Sequence, residues 1–337
     1  MTIRPQIAAL GFLLLLRVCP FVPAGETAPA PPETLRILFY NTKNFRVGPD
    51  ERHKSRNSMQ AVADTIAHCD PHVAILAEMA NAEALDSLLE RMGDAGEQYA
   101  YKHIVKGPDT GRRLVMLAKF ANPESRHDTT TTYNIRDLKV PVRRGFAHAV
   151  FEWNNGYRLH VLGAHLKSKV YHRLGQTDMR RYEARQLRYR VNDVLEANPE
   201  ANILVLGDMN DSPQSSPIKT IIYRRFGTEK ELFDLRPADS LSMMWTHYWD
   251  EEDIYARIDY AFASYFLLPE IDFATTRVPM LPYWRVASDH RPLLIAIRPS
   301  DRPAHKDLLG NFYNNFRCEY YRDRNDGDDE RIAPQAR

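Results

Sequence analysis

Ile203-Leu204-Val205-Leu206 is an apolar run with no polar interruption, and it stops at Gly207-Asp208-Met209-Asn210. Such a run reads as a fully buried strand. A strand buried on both faces needs packed layers on each side of it. Asp211-Ser212-Pro213 then turns the chain. A buried strand that ends on a carboxylate and an amide can hold a metal ion and a substrate oxygen there. An Asp at this position is also a common turn former or helix cap. The weight of the feature therefore depends on what the other strand ends carry.

Several other strand ends carry similar groups. Residues 35–40 predict a strand ending at Asn41. Met59, Val62, Ala63 and Ile66 fall at helical spacing, and Pro71 closes that helix after Cys69-Asp70. Residues 73–77 predict a second buried strand, ending at Glu78. Asn81 is placed to cap a helix with Leu85, Leu88, Leu89 and Met92 on its apolar face. Strands are expected over 99–105 and 114–118, and a loop or edge strand over the Thr-rich 122–133. Asn154-Asn155-Gly156 predicts a tight hairpin between 145–152 and 157–163, with His165 just past its second strand. A long helix starting at Thr177 or Asp178 buries Ala184, Leu187, Val191, Val194 and Leu195. After 203–207 come a short helix near Ser216-Pro217, a short strand at Trp245-Thr246-His247, a strand over 256–263 containing Asp259, and a last strand over 292–297 preceded by Ser288-Asp289-His290. Early alternation of strands and helices, then a predominance of strands, predicts a mixed α/β domain. It has two packed sheets with helices outside, and spans 34–299.

The flanking segments read differently. Arg4 precedes the apolar 7–16, and Val22-Pro23-Ala24 offers small residues for cleavage, so 1–24 has the pattern of a secretory signal peptide. The apolar run is shorter than a membrane span needs. Leu16-Arg17-Val18 is a poor approach to a lipidated Cys19, so cleavage after Ala24 is expected instead, with export to the periplasm or cell exterior. No stable span is expected in the mature chain. Residues 25–33 form a flexible lead-in, and 300–337 a charged, partly disordered tail in which Phe312, Tyr313 and Phe316 could dock. Without Arg4 and Arg17 the chain has 43 basic and 44 acidic residues, a net of −1. Global charge thus gives no argument for nucleic-acid binding. Cys69 and Cys318 either pair or remain thiols, and no zinc-type cysteine cluster occurs.

The strand-end groups have a common chemistry. Glu78 and Asp289 are oxygen ligands suited to a hard cation such as Mg²⁺. Histidines beside carboxylates suit phosphate contact and proton transfer, and an Asp behind an imidazole fixes its tautomer. Asp259 can do this for His290. Asn210 can donate to charge developing on a phosphate oxygen.

Asn41, Glu78, Gly207-Asp208-Met209-Asn210, Arg257-Ile258-Asp259-Tyr260 and Ser288-Asp289-His290, in that order, resemble the endonuclease/exonuclease/phosphatase superfamily (DNase I-like) from about Leu35 to Ile297. The resemblance implies a four-layer α/β sandwich, two mixed β-sheets flanked by helices. It implies phosphoester hydrolysis by in-line attack of water with a divalent metal, Mg²⁺ by expectation and Mn²⁺ or Ca²⁺ as alternatives. By that resemblance Glu78 is the main metal ligand, Asp289 a second carboxylate on the metal side, and Asn41 a supporting amide. Asp208 orients or deprotonates water, Asn210 contacts a phosphate oxygen, and Asp259 with His290 forms a His–Asp pair. Which of Asp208 and His290 activates the water stays open. His165 within His165-Leu166-Lys167-Ser168-Lys169 is similar to secreted bacterial nucleases and weighs against the abasic-site branch, where a tyrosine is usual. Sphingomyelinases share that histidine. Met79-Ala80 departs from the Val-Glu common in the family, while Asn81 matches.

Arg144, before Gly145-Phe146-Ala147, is a candidate phosphate contact with His165 and Asn210. The basic stripe Lys167, Lys169, His172, Arg173, Arg180, Arg181, Arg185, Arg188 and Arg190, with Tyr171, Tyr182 and Tyr189 interleaved, reads either as a nucleic-acid track or as a solvated helix face. The expected function is a nuclease acting on DNA or RNA. The alternatives are a phosphatase, a sphingomyelinase-type phospholipase, for which Trp245, Trp249, Tyr265-Phe266-Leu267-Leu268 and Tyr283-Trp284 read either as a membrane-facing aromatic edge or as core and edge packing, and a catalytically inactive binding protein. The sequence leaves oligomeric state open.

Overall fold

The computed structural model describes residues 28–48, 53–222 and 230–302. The expected signal peptide, Cys318 and the aromatics of the tail lie outside the described residues. In chain order the strands are β1 (Leu35–Phe45), β2 (Val73–Met79), β3 (Tyr101–Val105), β4 (Arg113–Ala118), β5 (Glu124–Ser125), β6 (Thr132–Ile135), β7 (Leu138–Pro141), β8 (Phe146–Glu152), β9 (Arg158–His165), β10 (Asn202–Asp208), β11 (Leu232–Asp234), β12 (His247–Trp249), β13 (Ile254–Ala256), β14 (Asp259–Ser264) and β15 (Leu293–Ile297). The helices are α1 (Arg56–Cys69), α2 (Ala82–Met92), α3 (Asp94–Glu97), α4 (Gln176–Ala197), α5 (Ser216–Ile222) and α6 (Trp284–Ala287).

Two mixed sheets form the frame, ordered β15-β1-β2-β4-β3 and β11-β14-β10-β9-β8-β5. Period-two alternation of side chains decides which layer each residue joins. Leu35, Ile37 and Phe39 point into the core between the sheets with Leu204, Leu206, Ala261 and Ile295. Their neighbours Leu38 and Tyr40 face α1 and α2, through Val62, Ile66 and Leu88. On the other side Ile203 and Val205 face Leu187 and Val191 of α4. The opening apolar run is thus buried on both faces, and the architecture is the four-layer α/β sandwich.

Local chemistry sets the helix ends. The Ser55 hydroxyl accepts from Ser58 N at the start of α1, and Asn81 Oδ1 accepts from Ala84 N at 2.9 Å at the start of α2. The long helix starts at Gln176, and Gly175 (φ 81°) precedes it without a side-chain cap, not Thr177 or Asp178. The strand expected over 256–263 is divided. Ile254–Ala256 pairs with His247–Trp249 in a small hairpin, and Arg257-Ile258 carries the chain into β14. The β6–β7 hairpin was not expected from the sequence. Cys69 is a buried free thiol, and burial pushes it up to about 12.

The sheets approach most closely where residues are small. A Cβ on Gly163 would lie 2.8 Å from Ile75 Cγ2 and 3.2 Å from Ala147 Cβ. Overpacking of this kind costs about 1–3 kcal/mol. We expect Gly163→Val to lower stability by that amount in urea unfolding, and an unchanged midpoint would show that the sheets are not in contact there.

At one edge of the sandwich the His103 and His127 rings stack at 4.1 Å, and His148 Nε2 lies 3.2 Å from His160 Nδ1. His148 N donates to His127 Nδ1 at 3.0 Å, and Tyr101 Oη lies 2.7 Å from His127 Nε2. Burial lowers His127 and His160 to about 4 and His148 to about 3.

Both ends of the domain dock on one turn. Asn154 N donates to Pro29 O at 3.0 Å, and Asn155 Nδ2 donates to Pro299 O at 3.0 Å.

Candidate active site

The β-topology gathers the strand-end groups. β1 and β2 run parallel and carry Asn41 and Glu78 toward their C-terminal ends, although β1 continues past the end expected at Asn41 as far as Phe45. β9 and β10 run parallel, pairing His165 with Asp208. β14 runs antiparallel to β10, so Asp259 begins its strand directly opposite Asp208. β15 is antiparallel to β1, which brings Asp289-His290 to the same edge. All these residues therefore lie at one end of the sandwich.

The Asn41 amide spans the two sheets, donating from Nδ2 to Asp208 Oδ2 at 3.0 Å. The other Asp208 oxygen accepts from Asn210 N at 2.9 Å. His165 Nε2 lies 3.5 Å from Asp208 Oδ2 and 3.8 Å from Glu78 Oε1. His290 Nδ1 donates to Asp259 Oδ2 at 2.8 Å, leaving Nε2 toward Asp208 Oδ2 at 3.9 Å. Backbone supports hold this set in place. Thr246 Oγ1 accepts from Asp259 N at 3.0 Å, and Ser288 Oγ donates to Asn41 O at 2.8 Å while accepting from His290 N at 3.1 Å. Glu78 and Asn210 adopt left-handed backbone at φ 64° and 54°. Asn tolerates this region well, whereas for Glu it is uncommon, a departure that clusters at functional sites.

Electrostatics separates the roles. Burial first, then the Asp259 carboxylate, pushes Asp208 up to about 7. Burial opposes charge on His290, but Asp259, Asp208 and Asp289 outweigh it and hold the ring protonated up to about 10. Burial, followed by Arg144, drives His165 well below the usual histidine range. The edge thus holds one neutral imidazole, one imidazolium and a carboxylate poised near neutrality. Perturbations of this kind cluster where acid–base work is done.

Arg144 is buried, with Nε 3.3 Å from Asp109 Oδ2 and Nη1 donating to Leu166 O at 3.3 Å, just behind His165. Asn210 Nδ2 donates to the same carbonyl at 3.1 Å. Glu78 Oε2 accepts from Asn44 N at 2.9 Å, and Arg112 Nε stands 3.6 Å from Oε1. Asp289 lies 3.3 Å from Lys43 Nζ, and His290 and Lys43 outweigh its burial to keep it below the usual carboxylate range. Three site residues went unrecognised in the sequence. His247 bridges to His290, with ring centroids 4.7 Å apart. Lys43 and the buried Lys54 flank the carboxylates, and Lys54 is lowered by burial to about 8. His247 sits within a segment legible only as a strand, and nothing in the spacing of the lysines marks them.

The donor set fits a hard cation. Glu78, Asp208, Asp259 and Asp289 are acceptor-only groups crowded at one edge, and Asp259 Oδ1 is buried without a hydrogen-bond partner. Among the described residues, ligand atoms of His247, Asp289 and His290 converge within 4.8 Å, as do those of Asp208, Asp259 and His290. Glu78 belongs to neither group and faces the site across His165.

Much of the basic stripe turns inward. Arg180 Nε pairs with Asp211 at 2.8 Å, and Arg188 donates to Ile221 O at 3.1 Å and Lys230 O at 2.5 Å. Arg190 pairs with Asp128, and Lys167 is buried. Lys169, Tyr171 and Arg173 stay exposed on the loop leaving His165.

Comparison with known proteins agrees with this fold. An endonuclease/exonuclease/phosphatase from Bacteroides vulgatus superposes with a TM-score of 0.54 at 15% identity, covering 79% of this chain and 99% of that one. Truncated Caenorhabditis elegans TDP2 gives 0.52 at 14% identity, with coverages of 79% and 98%. Sphingomyelinase C from Streptomyces griseocarneus gives 0.51 at 17% identity, with coverages of 78% and 99%. At these identities the likeness is one of fold. No curated protein sequence matches significantly. The sequence pattern of the Endonuclease/Exonuclease/phosphatase family matches residues 38–290, and with its site residues set at the strand ends of a four-layer sandwich, this chain belongs to that family of phosphoester hydrolases.

Proposed function

We propose that the protein is an exported, divalent-metal-dependent phosphodiesterase that acts on nucleic acid. The observation that carries the reading is the Asp259–His290–Asp208 arrangement, facing Glu78 and Asn41 at one edge. A divalent cation held by Glu78 and Asp289, with Asn41 in support, would neutralise charge on the phosphate. The chain's own groups do the rest. The His290 imidazolium, fixed by Asp259, donates from Nε2 to a phosphate oxygen. Asp208, held by Asn41 and the Asn210 backbone, orients the attacking water and takes up its proton. His165 stays neutral and donates or accepts at Nε2 without adding charge. Asn210 keeps one amide hydrogen for a non-bridging oxygen while Leu166 O holds the other.

A phospholipid reading draws on a different observation. Trp249, Ile254 and Tyr255 are exposed on the β12–β13 hairpin, which starts beside His290. The two readings separate on one panel. Purified protein with Mg²⁺ or Mn²⁺ is expected to cleave plasmid DNA or RNA, and chelator is expected to remove the activity. Cleavage of sphingomyelin or a phosphomonoester with nucleic acids untouched would decide against the nuclease. For export, a mature N-terminus following Ala24 is the expected result of N-terminal sequencing, and one at Met1 would count against it.

A further inference from the structure

Residues 166–175 form an arm that leaves the catalytic edge directly after His165 and ends at α4. Its root is bonded to the site. Leu166 N donates to Asp208 O at 2.9 Å, and Leu166 O accepts from Asn210 Nδ2 at 3.1 Å and from Arg144 Nη1 at 3.3 Å. The backbone beyond it is fixed from inside the molecule. Lys167 N donates to Glu183 Oε2 at 2.6 Å, and Arg180 Nη1 donates to Lys167 O at 3.0 Å and Ser168 O at 3.3 Å. Lys167 Nζ donates to Ser168 O at 3.1 Å and Val170 O at 2.9 Å. At the far end Gly175 N donates to His172 O at 2.8 Å, and His172 N donates to Gln176 Oε1 at 3.2 Å. Glu183, Arg180 and Lys167 are all buried. Burying ionisable groups is costly unless they are paired and hydrogen-bonded. Here their bonds go to the backbone of one surface loop, which makes the arm a preformed element.

The tip faces solvent. Val170 and Tyr171 are 72% and 81% exposed, and Lys169 and Arg173 are exposed on either side of them. Lys169, Tyr171 and Arg173 have no ion-pair or ring partner among the described residues. Between Trp153 and Thr177 the chain has no acidic residue. Burial first, then Lys167, Arg143 and Arg173, lowers His172 below the usual histidine range, so positive charge gathers about the arm. A surface of this kind fits a polyanion. One valine and one tyrosine offer too little apolar area to hold a membrane surface. The open phenol ring adds a stacking platform for a base. Only an unpaired base presents a free face to it, since a duplex covers each base with its neighbours. From Leu166 to Tyr171 the chain reaches at most about 18 Å, so one strand can place a base on the tip and a phosphate at the edge.

Resting on the nuclease reading above, we propose that this arm guides single-stranded nucleic acid into the site, with Tyr171 stacking on an unpaired base and Lys169 and Arg173 on the phosphates beside it. The test is fluorescence-anisotropy binding of a short labelled oligothymidylate and of a labelled duplex of equal length, with chelator present to stop cleavage. The single strand is expected to bind roughly tenfold more tightly than the duplex, the scale of one base stack. Tyr171→Ala is expected to erase most of that ratio and Tyr171→Phe to keep it. Lys169→Ala/Arg173→Ala is expected to lower the salt slope of single-strand binding by about 1.4, from about 0.7 per phosphate contact. All three positions are exposed, so these variants keep the fold. Equal affinity for strand and duplex, a ratio unchanged in Tyr171→Ala, or an unchanged salt slope would overturn the proposal. So would Tyr171-dependent binding to phosphatidylserine vesicles without binding of the oligonucleotide. A protein that cleaves nucleic acid yet is insensitive to these variants would lose only the arm's assignment. One that binds the strand through the arm but cleaves none would lose the nuclease reading itself.

Discussion

Asp208→Ala is expected to lower phosphodiester turnover by roughly 10³-fold, within the range of about 10²–10⁴ for loss of a positioned acid or base, with little change in stability. The two effects part for a physical reason. Asp208 is held at 2% exposure, where burial and Asp259 push its carboxyl up to about 7. Truncating it relieves that crowding. It also leaves Asn41 Nδ2 and Asn210 N without their acceptor. The relief and the loss oppose each other, each on the order of 1–3 kcal/mol, so the thermal midpoint should move by a few degrees at most. His290→Ala should lower turnover in the same direction, because it removes the donor that Asp259 holds charged. The measurement is steady-state turnover on a nucleic-acid substrate beside thermal unfolding of the same preparations. Wild-type turnover in Asp208→Ala would remove Asp208 from the chemistry, and loss of activity together with unfolding would show a structural role only.

The largest expected effect on stability comes from acid. His127, His148 and His160 are held neutral chiefly by burial, and neighbouring basic groups reinforce it. Arg126, Arg190, His127 and His160 act on His148; Arg158 and Arg126 act on His160 against the weaker pull of Glu124; His103 acts on His127. Their folded values of about 3 to about 4 lie below the ordinary histidine range near ~6.5. The unfolded chain therefore binds more protons between those limits, and stability is present above about pH 6.5 and lost as pH falls toward 4. Each pH unit is worth about 1.4 kcal/mol per fully shielded group. Allowing for the partial exposure of His127, the loss between pH 7 and 4.5 should total roughly 3–5 kcal/mol. Urea midpoints at pH 7, 5.5 and 4.5 measure it, and a His148→Gln/His160→Gln double variant should flatten the curve. A wild-type midpoint that does not move over this range would mean these rings are not held neutral.

The sequence made some residues legible and hid others for identifiable reasons. Asp208, Glu78 and Asn41 each close an apolar run, and a polar group at the end of such a run stands out in one dimension. His165 and His290 were legible through what precedes them. The α4 arginines misled in part because spacing reports only which side of a helix a residue occupies. It does not report that the carbonyls of Ile221 and Lys230 and the carboxylate of Asp211 come from elsewhere to meet Arg188 and Arg180. Arg144 stood next to a strand start, where it looked open to substrate, yet the Leu166 carbonyl and Asp109 enclose it. His247 required knowing that a small hairpin folds back on His290, a long-range contact with no local signature. The division between Ala256 and Asp259 was hidden for a related reason. The apolar pattern runs on through Arg257-Ile258 while the chain changes sheet.

The docking of Pro29 and Pro299 on the Asn154–Asn155 turn has an architectural consequence. That turn begins β9, and His165 ends it, so eight residues of extended strand, about 26 Å, separate the two. The domain's two ends are therefore neighbours at the pole opposite the chemistry. Bridging them would close the chain into a ring that could be reopened at another surface loop, giving a circular permutant with the same catalytic edge. Cargo fused at either end would leave from the back of the enzyme and keep the approach to phosphate clear.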